Sequence, residues 1–184
     1  MGLTQLAPIS SGAVWDVDPY NWRSAGVFGK TISWGLAGWQ RILANETLVA
    51  ELKQAVAETK SLRPYAFGDY YPLTNTTSSL ADWAAYQFHL PTGASPPPVG
   101  DKDEANTAAA DSGFAVYFRR PGATASTMPA GLLALDAQGK YDVTQFLGYT
   151  ARGPPTTHTG AELTKLDVVL QPNSCVLLRY AKAA

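Results

Sequence analysis

The clearest period in the chain lies between residues 46 and 62. Leu48, Leu52, Ala55, Thr59 and Leu62, joined by Val49 and Val56, fall on one face at helical spacing, and the stretch predicts an amphipathic helix. Asn45 stands where an N-cap belongs, and Glu46 suits the positive end of the helix dipole. The pattern stops at Leu62-Arg63-Pro64, because Pro64 has no N–H to donate and biases Arg63 away from helical backbone. Gly68-Asp69 is a turn signal, and Tyr70-Tyr71 before Pro72 predicts a short, half-buried first strand. The stretch 62–74 is therefore expected to be a hinge between two architectures.

Beyond Pro72 the period changes to that of strands. Residues 83–90, 113–119, 132–135, 141–146, 166–170 and 175–180 are short β-rich runs separated by Gly, Pro, Asn and Asp. With no helical pattern between them, they predict an antiparallel sandwich. Two inserts, 94–110 with its Pro96-Pro97-Pro98 and 152–160 with Pro154-Pro155, are expected to be mobile surface loops outside the core. Before the helix, residues 11–36 are dense in aromatics and glycine. There, 31–36 is expected to be a short buried strand and 23–29 a short helix.

Composition narrows the picture. At 184 residues, 46% hydrophobic and 16% charged, the chain has the profile of a soluble globular protein of one domain or slightly more. A net charge of −1 without a block of Lys or Arg argues against nucleic acid or an anionic membrane as partner. Cys175 is the single cysteine, so no internal disulfide forms, and His89 and His158 stand too far from other ligand types to predict a metal site or cofactor. Residues 1–14 lack the basic and apolar regions of a secretory leader, and no run is long enough for a membrane helix. Leu6 occupies the position where a myristoylation motif needs Ser or Thr. Asn45-Glu46-Thr47 and Asn75-Thr76-Thr77 fit the glycosylation sequon, a short motif that arises easily by chance. Composition assigns no compartment.

Candidate chemistry is sparse. Asp16 and Asp18, two apart, would lie about 6.6 Å apart on a strand, a spacing that by itself leaves a glycosidase carboxylate pair open. Asp18-Pro19 is also an ordinary turn opening, and Asp69 reads as a turn residue. His89 sits in an aromatic strand with no nucleophile or carboxylate beside it in sequence, and Cys175 is flanked by apolar residues. Arg119-Arg120 before Pro121 is expected to form a solvated or ion-paired strand end. The five tryptophans and nine tyrosines could build a sugar-stacking platform or simply a core and interfaces. No constellation here completes a catalytic site.

The order of several short motifs adds a resemblance. Asp18-Pro19-Tyr20, Arg23-Ser24-Ala25, Leu62-Arg63-Pro64-Tyr65, Gly68-Asp69-Tyr70-Tyr71-Pro72-Leu73-Thr74, Trp83 with Tyr86-Gln87-Phe88-His89, and Phe118-Arg119-Arg120-Pro121 resemble the C-terminal end of alpha-galactosidase-like (melibiase-type, clan D) glycoside hydrolases. Gly131-Leu132, Leu135-Asp136, Tyr141-Asp142-Val143-Thr144, Gly160-Ala161-Glu162-Leu163 and Val176-Leu177-Leu178-Arg179-Tyr180 continue it, with 94–110 as an insertion. The resemblance implies an α+β chain: residues 1–64 as the last segment of a (β/α)8 barrel, and residues 65–184 as the antiparallel β-sandwich that follows. It also implies a carbohydrate substrate bound by the complete enzyme, with the catalytic aspartates upstream of this chain and no catalytic residue within it. Arg23 is the one residue expected near substrate, at the barrel mouth. A barrel remnant would leave Trp15, Trp22, Trp34 and Trp39 short of packing partners and favour self-association. The other reading left open is a non-catalytic β-sandwich that binds carbohydrate or packs on another chain.

Overall fold

The computed structural model describes residues 12–26, 30–33, 35–75, 79–94, 108–129 and 131–183. Phe28, Trp34, residues 1–11 and most of the 94–110 insert lie outside the described residues.

The N-terminal part is built on β1 (Gly12–Val14), α1 (Pro19–Ser24), β2 (Lys30–Ile32), α2 (Gly35–Leu43) and α3 (Glu46–Leu62). Strands β1 and β2 pair in parallel across the intervening α1. Helix α1 starts earlier than the expected 23–29, because Asp18 caps it and Pro19 takes its first turn: the Asp18 carboxylate accepts from Asn21 N at 3.0 Å. Gly35 and Leu36, expected to close a strand, instead open α2. Helix α3 begins as its sequence predicts, with Asn45 Oδ1 accepting from Thr47 N and Leu48 N at 3.0 and 3.3 Å. Its end is not abrupt. A 3₁₀ turn over Arg63–Phe67 carries Pro64 and leads into the sheet.

The larger part is a six-stranded sheet in the order β3-β4-β5-β10-β7-β8, antiparallel at every pairing. Its strands are β3 (Asp69–Pro72), β4 (Ala84–Leu90), β5 (Ser112–Arg119), β7 (Lys140–Phe146), β8 (Thr156–Thr159) and β10 (Ser174–Lys182). A two-stranded ribbon of β6 (Thr127–Pro129) and β9 (Asp167–Val169) forms the second, smaller layer.

Every residue of β4 and β5 is buried, because both faces of the sheet are covered. Alternation still sorts their side chains. Ala85, Ala115, Tyr117, Val176, Leu178 and Tyr180 pack toward Met128, Leu132, Leu163 and Val168 on the ribbon side. Ala84, Tyr86, Phe88, Phe114, Val116, Phe118 and Leu177 pack toward Leu62, Tyr65 and Tyr20 of the helical part. The three phenylalanines are no more than 1% exposed, and each such burial contributes ~1.5–3 kcal/mol. A third cluster, Val14, Val17, Trp22, Ile42 and Ala55, closes the helical part on itself.

Two further expectations are corrected. Residues 132–135 do not form a strand: Leu132 is buried, Ala134 takes a left-handed backbone at φ 58, and both main-chain groups of Leu133 bond the Gln87 carboxamide. Residues 152–160 are not simply a loop, since β8 pairs with β7 as an edge strand and runs into α4 (Gly160–Leu163). Thr159 and Glu162 form a capping box there.

Candidate functional site

The two early aspartates are held locally. Asp16 Oδ1 accepts from Val17 N at 2.8 Å and meets Arg41 at 3.4 Å, while Asp18 accepts the Asn21 main-chain N–H on one oxygen and its side chain on the other. Both therefore serve as turn and cap residues.

Helix α1 turns Trp22 and Arg23 inward. Trp22, expected to lack partners, is 3% exposed and donates Nε1–H to Thr59 Oγ1 at 2.9 Å. Arg23 is 2% exposed and uses its whole donor set. Nε and Nη2 donate to the two Glu58 oxygens at 2.9 and 2.7 Å, Nη1 to Phe146 O at 3.1 Å and Cys175 Sγ at 3.4 Å, and Nη2 also to Gly148 O at 2.7 Å. These five bonds match the five N–H groups of a guanidinium. Burial opposes the charge, but the Glu58 carboxylate outweighs it and holds Arg23 protonated. The Tyr149 ring lies beneath the guanidinium at 5.8 Å, and its hydroxyl donates to Val17 O at 2.5 Å. Expected at a substrate-facing mouth, Arg23 is placed at the seam between helices and sheet with no donor to spare. Burial pushes the neighbouring Cys175 thiol up, so it stays protonated at neutral pH.

On the outer side of this seam is an open cleft of about 660 Å³. Asp18 and Tyr20 line it from the helical side, Leu147 and Arg152 from the loop after β7, Val169 from the end of β9, and Gln171 and Asn173 from the β9–β10 connection. Asp18 is the only carboxylate in that lining, so the cleft does not offer the acid and nucleophile pair that glycoside hydrolysis needs.

A second polar cluster lies inside the sheet. His89 Nδ1 is 3.1 Å from Tyr180 Oη, which accepts from Gln87 Nε2 at 2.7 Å. On the other side of the ring, His89 Nε2 faces Asp111 Oδ1 at 3.9 Å. Asp111 also accepts from Tyr141 Oη at 3.0 Å and pairs with Lys182 Nζ at 2.9 Å. Burial lowers the pKa of His89, more than the nearby carboxylates restore it. Burial would raise Asp111, but Lys182 and Tyr141 prevail and lower it. The groups are buried and bonded to one another across three strands, so the cluster reads as a polar fastener within the core.

Arg119 and Arg120, expected at a solvated or ion-paired strand end, are buried. Arg119 donates to Ala123 O, Thr124 O and Leu170 O, and Arg120 to Ser79 O, which ties loops to the sheet. Among the described residues no group of His, Cys, Asp or Glu could hold a metal ion. Glu58, Asp111 and Tyr180 were not singled out by sequence. Glu58 had one signal, its place in the same stripe as Ala55 and Leu62; Asp111, at the end of an insert, had none.

No family model matches the chain, and no curated protein matches it significantly. Its fold does match solved structures. The GH36 alpha-galactosidase AgaA from Geobacillus stearothermophilus is 22% identical at a TM-score of 0.56, over 89% of this chain and 19% of that one. A variant of the same enzyme in complex with stachyose gives 22% identity, a TM-score of 0.55 and the same coverage. The alpha-galactosidase from Lactobacillus brevis is 13% identical at 0.55, over 89% of this chain and 20% of that one. The chain thus has the fold of part of a GH36 alpha-galactosidase and spans about one fifth of the length of those enzymes.

Proposed function

We propose that this chain is the C-terminal part of a retaining alpha-galactosidase-like glycoside hydrolase. Residues 1–64 supply the last segment of its (β/α)8 barrel, residues 65–184 its β-sandwich, and upstream barrel segments the nucleophile and acid/base. The observation that carries the reading is the parallel pairing of β1 with β2 across α1, followed by α2 and α3 and then by an antiparallel sheet. Parallel strands joined by a helix are the repeating unit of α/β barrels, and a parallel sheet of two strands does not stand alone. The fold match to GH36 enzymes over 89% of the chain supports the same assignment. On this reading Arg23 and Glu58 lock the barrel segment to the sandwich, and carbohydrate is bound by the complete enzyme.

The test is hydrolysis of an aryl alpha-galactoside. The purified chain is expected to show no turnover above background, and a version extended upstream through the complete barrel is expected to be active. Turnover by the chain alone, abolished by Asp16→Asn or Asp18→Asn, would overturn the proposal.

A further inference from the structure

The cleft beside the seam combines charged, carboxamide and apolar groups in its lining. Its volume of about 660 Å³ falls within the range of about 300–1,000 Å³ typical of small-molecule sites. One carboxylate, Asp18, and one guanidinium, Arg152, are its charged groups, so its lining is balanced and favours neither an anion nor a cation. The remaining polar groups include the Gln171 and Asn173 carboxamides. Flat groups of this type bond two adjacent hydroxyls at once. The lining also includes Leu147, 40% exposed, and Val169, 66% exposed, which add apolar surface to the same concavity.

The walls are also fixed in place. Tyr20 stands edge-on to Phe118 with ring centroids 5.4 Å apart. The β9–β10 turn holds Asn173 in a left-handed backbone at φ 55, and Ser174 Oγ donates back to Gln171 O at 2.5 Å. Preorganised groups bind with less loss of conformational freedom.

We infer that this cleft binds a short neutral oligosaccharide, with pyranose C–H faces against Leu147 and Val169 and hydroxyls on Arg152, Gln171 and Asn173. The choice of an alpha-galactosyl sugar rests on the proposed function; the ligand class rests on the lining. The experiment titrates the full chain with raffinose by calorimetry and amide NMR, with inorganic phosphate as a second probe. Saturable raffinose binding is expected, with shifts at residues 147, 152 and 173. Arg152→Ala and Asn173→Gly are each expected to weaken it about tenfold, the size of one lost charge-assisted or amide hydrogen bond. Both positions are exposed, and glycine accepts the left-handed backbone, so melting temperature should not move. Absence of saturation, binding unchanged by both substitutions, or preferential binding of phosphate would overturn the inference. Such a result alongside an active barrel-extended enzyme removes only the cleft site. Raffinose bound here alongside an inactive extended enzyme removes only the functional proposal.

Discussion

Arg23 and Glu58 form a buried pair in which one side chain supplies two oxygens and the other spreads its remaining donors over two carbonyls and a thiol. Removing one partner leaves the other charge buried and uncompensated, at a cost of ~3–5 kcal/mol. Glu58→Ala should lower unfolding free energy by that order in urea titrations, and Arg23→Met with Glu58→Leu should recover much of it. A Glu58→Ala loss of less than about 1 kcal/mol would show that the pair does not hold the seam. His89 makes a prediction in pH. Its folded pKa is lowered below 6.5, so below that value the unfolded chain takes up a proton that the folded chain refuses. Stability should therefore fall as pH drops from about 6.5 toward the folded pKa. Asp111, lowered from 3.8, adds a further loss at lower pH as it is protonated and releases Lys182. His89→Asn should flatten the first phase and leave the second in thermal melts across that range.

At the scale of elements, α2 is the one whose apolar residues find least cover. Leu36 is 78% exposed, Leu43 68% and Trp39 37%, while Ile42 alone on that helix is fully buried. Positions 36, 39 and 43 follow helical spacing, so they form a stripe rather than scattered residues. An exposed apolar stripe of this kind should drive self-association of the chain. Sedimentation velocity is expected to show concentration-dependent oligomers that Leu36→Glu with Leu43→Glu reduces, without a lower melting temperature. A monodisperse chain with its indoles shielded from quencher would contradict this. Legibility differed among the elements. Helix α3 was plain because one face repeats over four turns and Asn45 caps it. Helix α2 was not, because Thr31-Ile32-Ser33 promised a strand that ends before the helix begins.

In the whole molecule, the sheet carries two cores of different origin. The ribbon-side core is made wholly from residues after the hinge, whereas the helix-side face depends on Tyr20 and Leu62 as well as Tyr65. Residues 65–184 should therefore fold alone with a single melting transition, yet melt lower than the full chain and bind a hydrophobic dye through the uncovered Phe88, Phe114 and Phe118. Absence of any transition would show that the helical part is required for folding.

By itself the sequence determined what local chemistry can decide: the period of α3, the change of period after Pro72, and most strands. Those features depend on neighbours within a few residues, where spacing and turn chemistry act directly. Tertiary structure decided the rest. Residues 132–135 had the composition of a strand, but Gln87, far away in sequence, takes their main-chain bonds. Glu58 acquired its partner only where α1 brought Arg23 against it, 35 residues away in sequence. His89 had no visible partner because Asp111 and Tyr180 reach it only through strand pairing. The cleft, too, is assembled from three separated segments. Burial, and with it the meaning of a charged or polar side chain, is set by what the fold places opposite it.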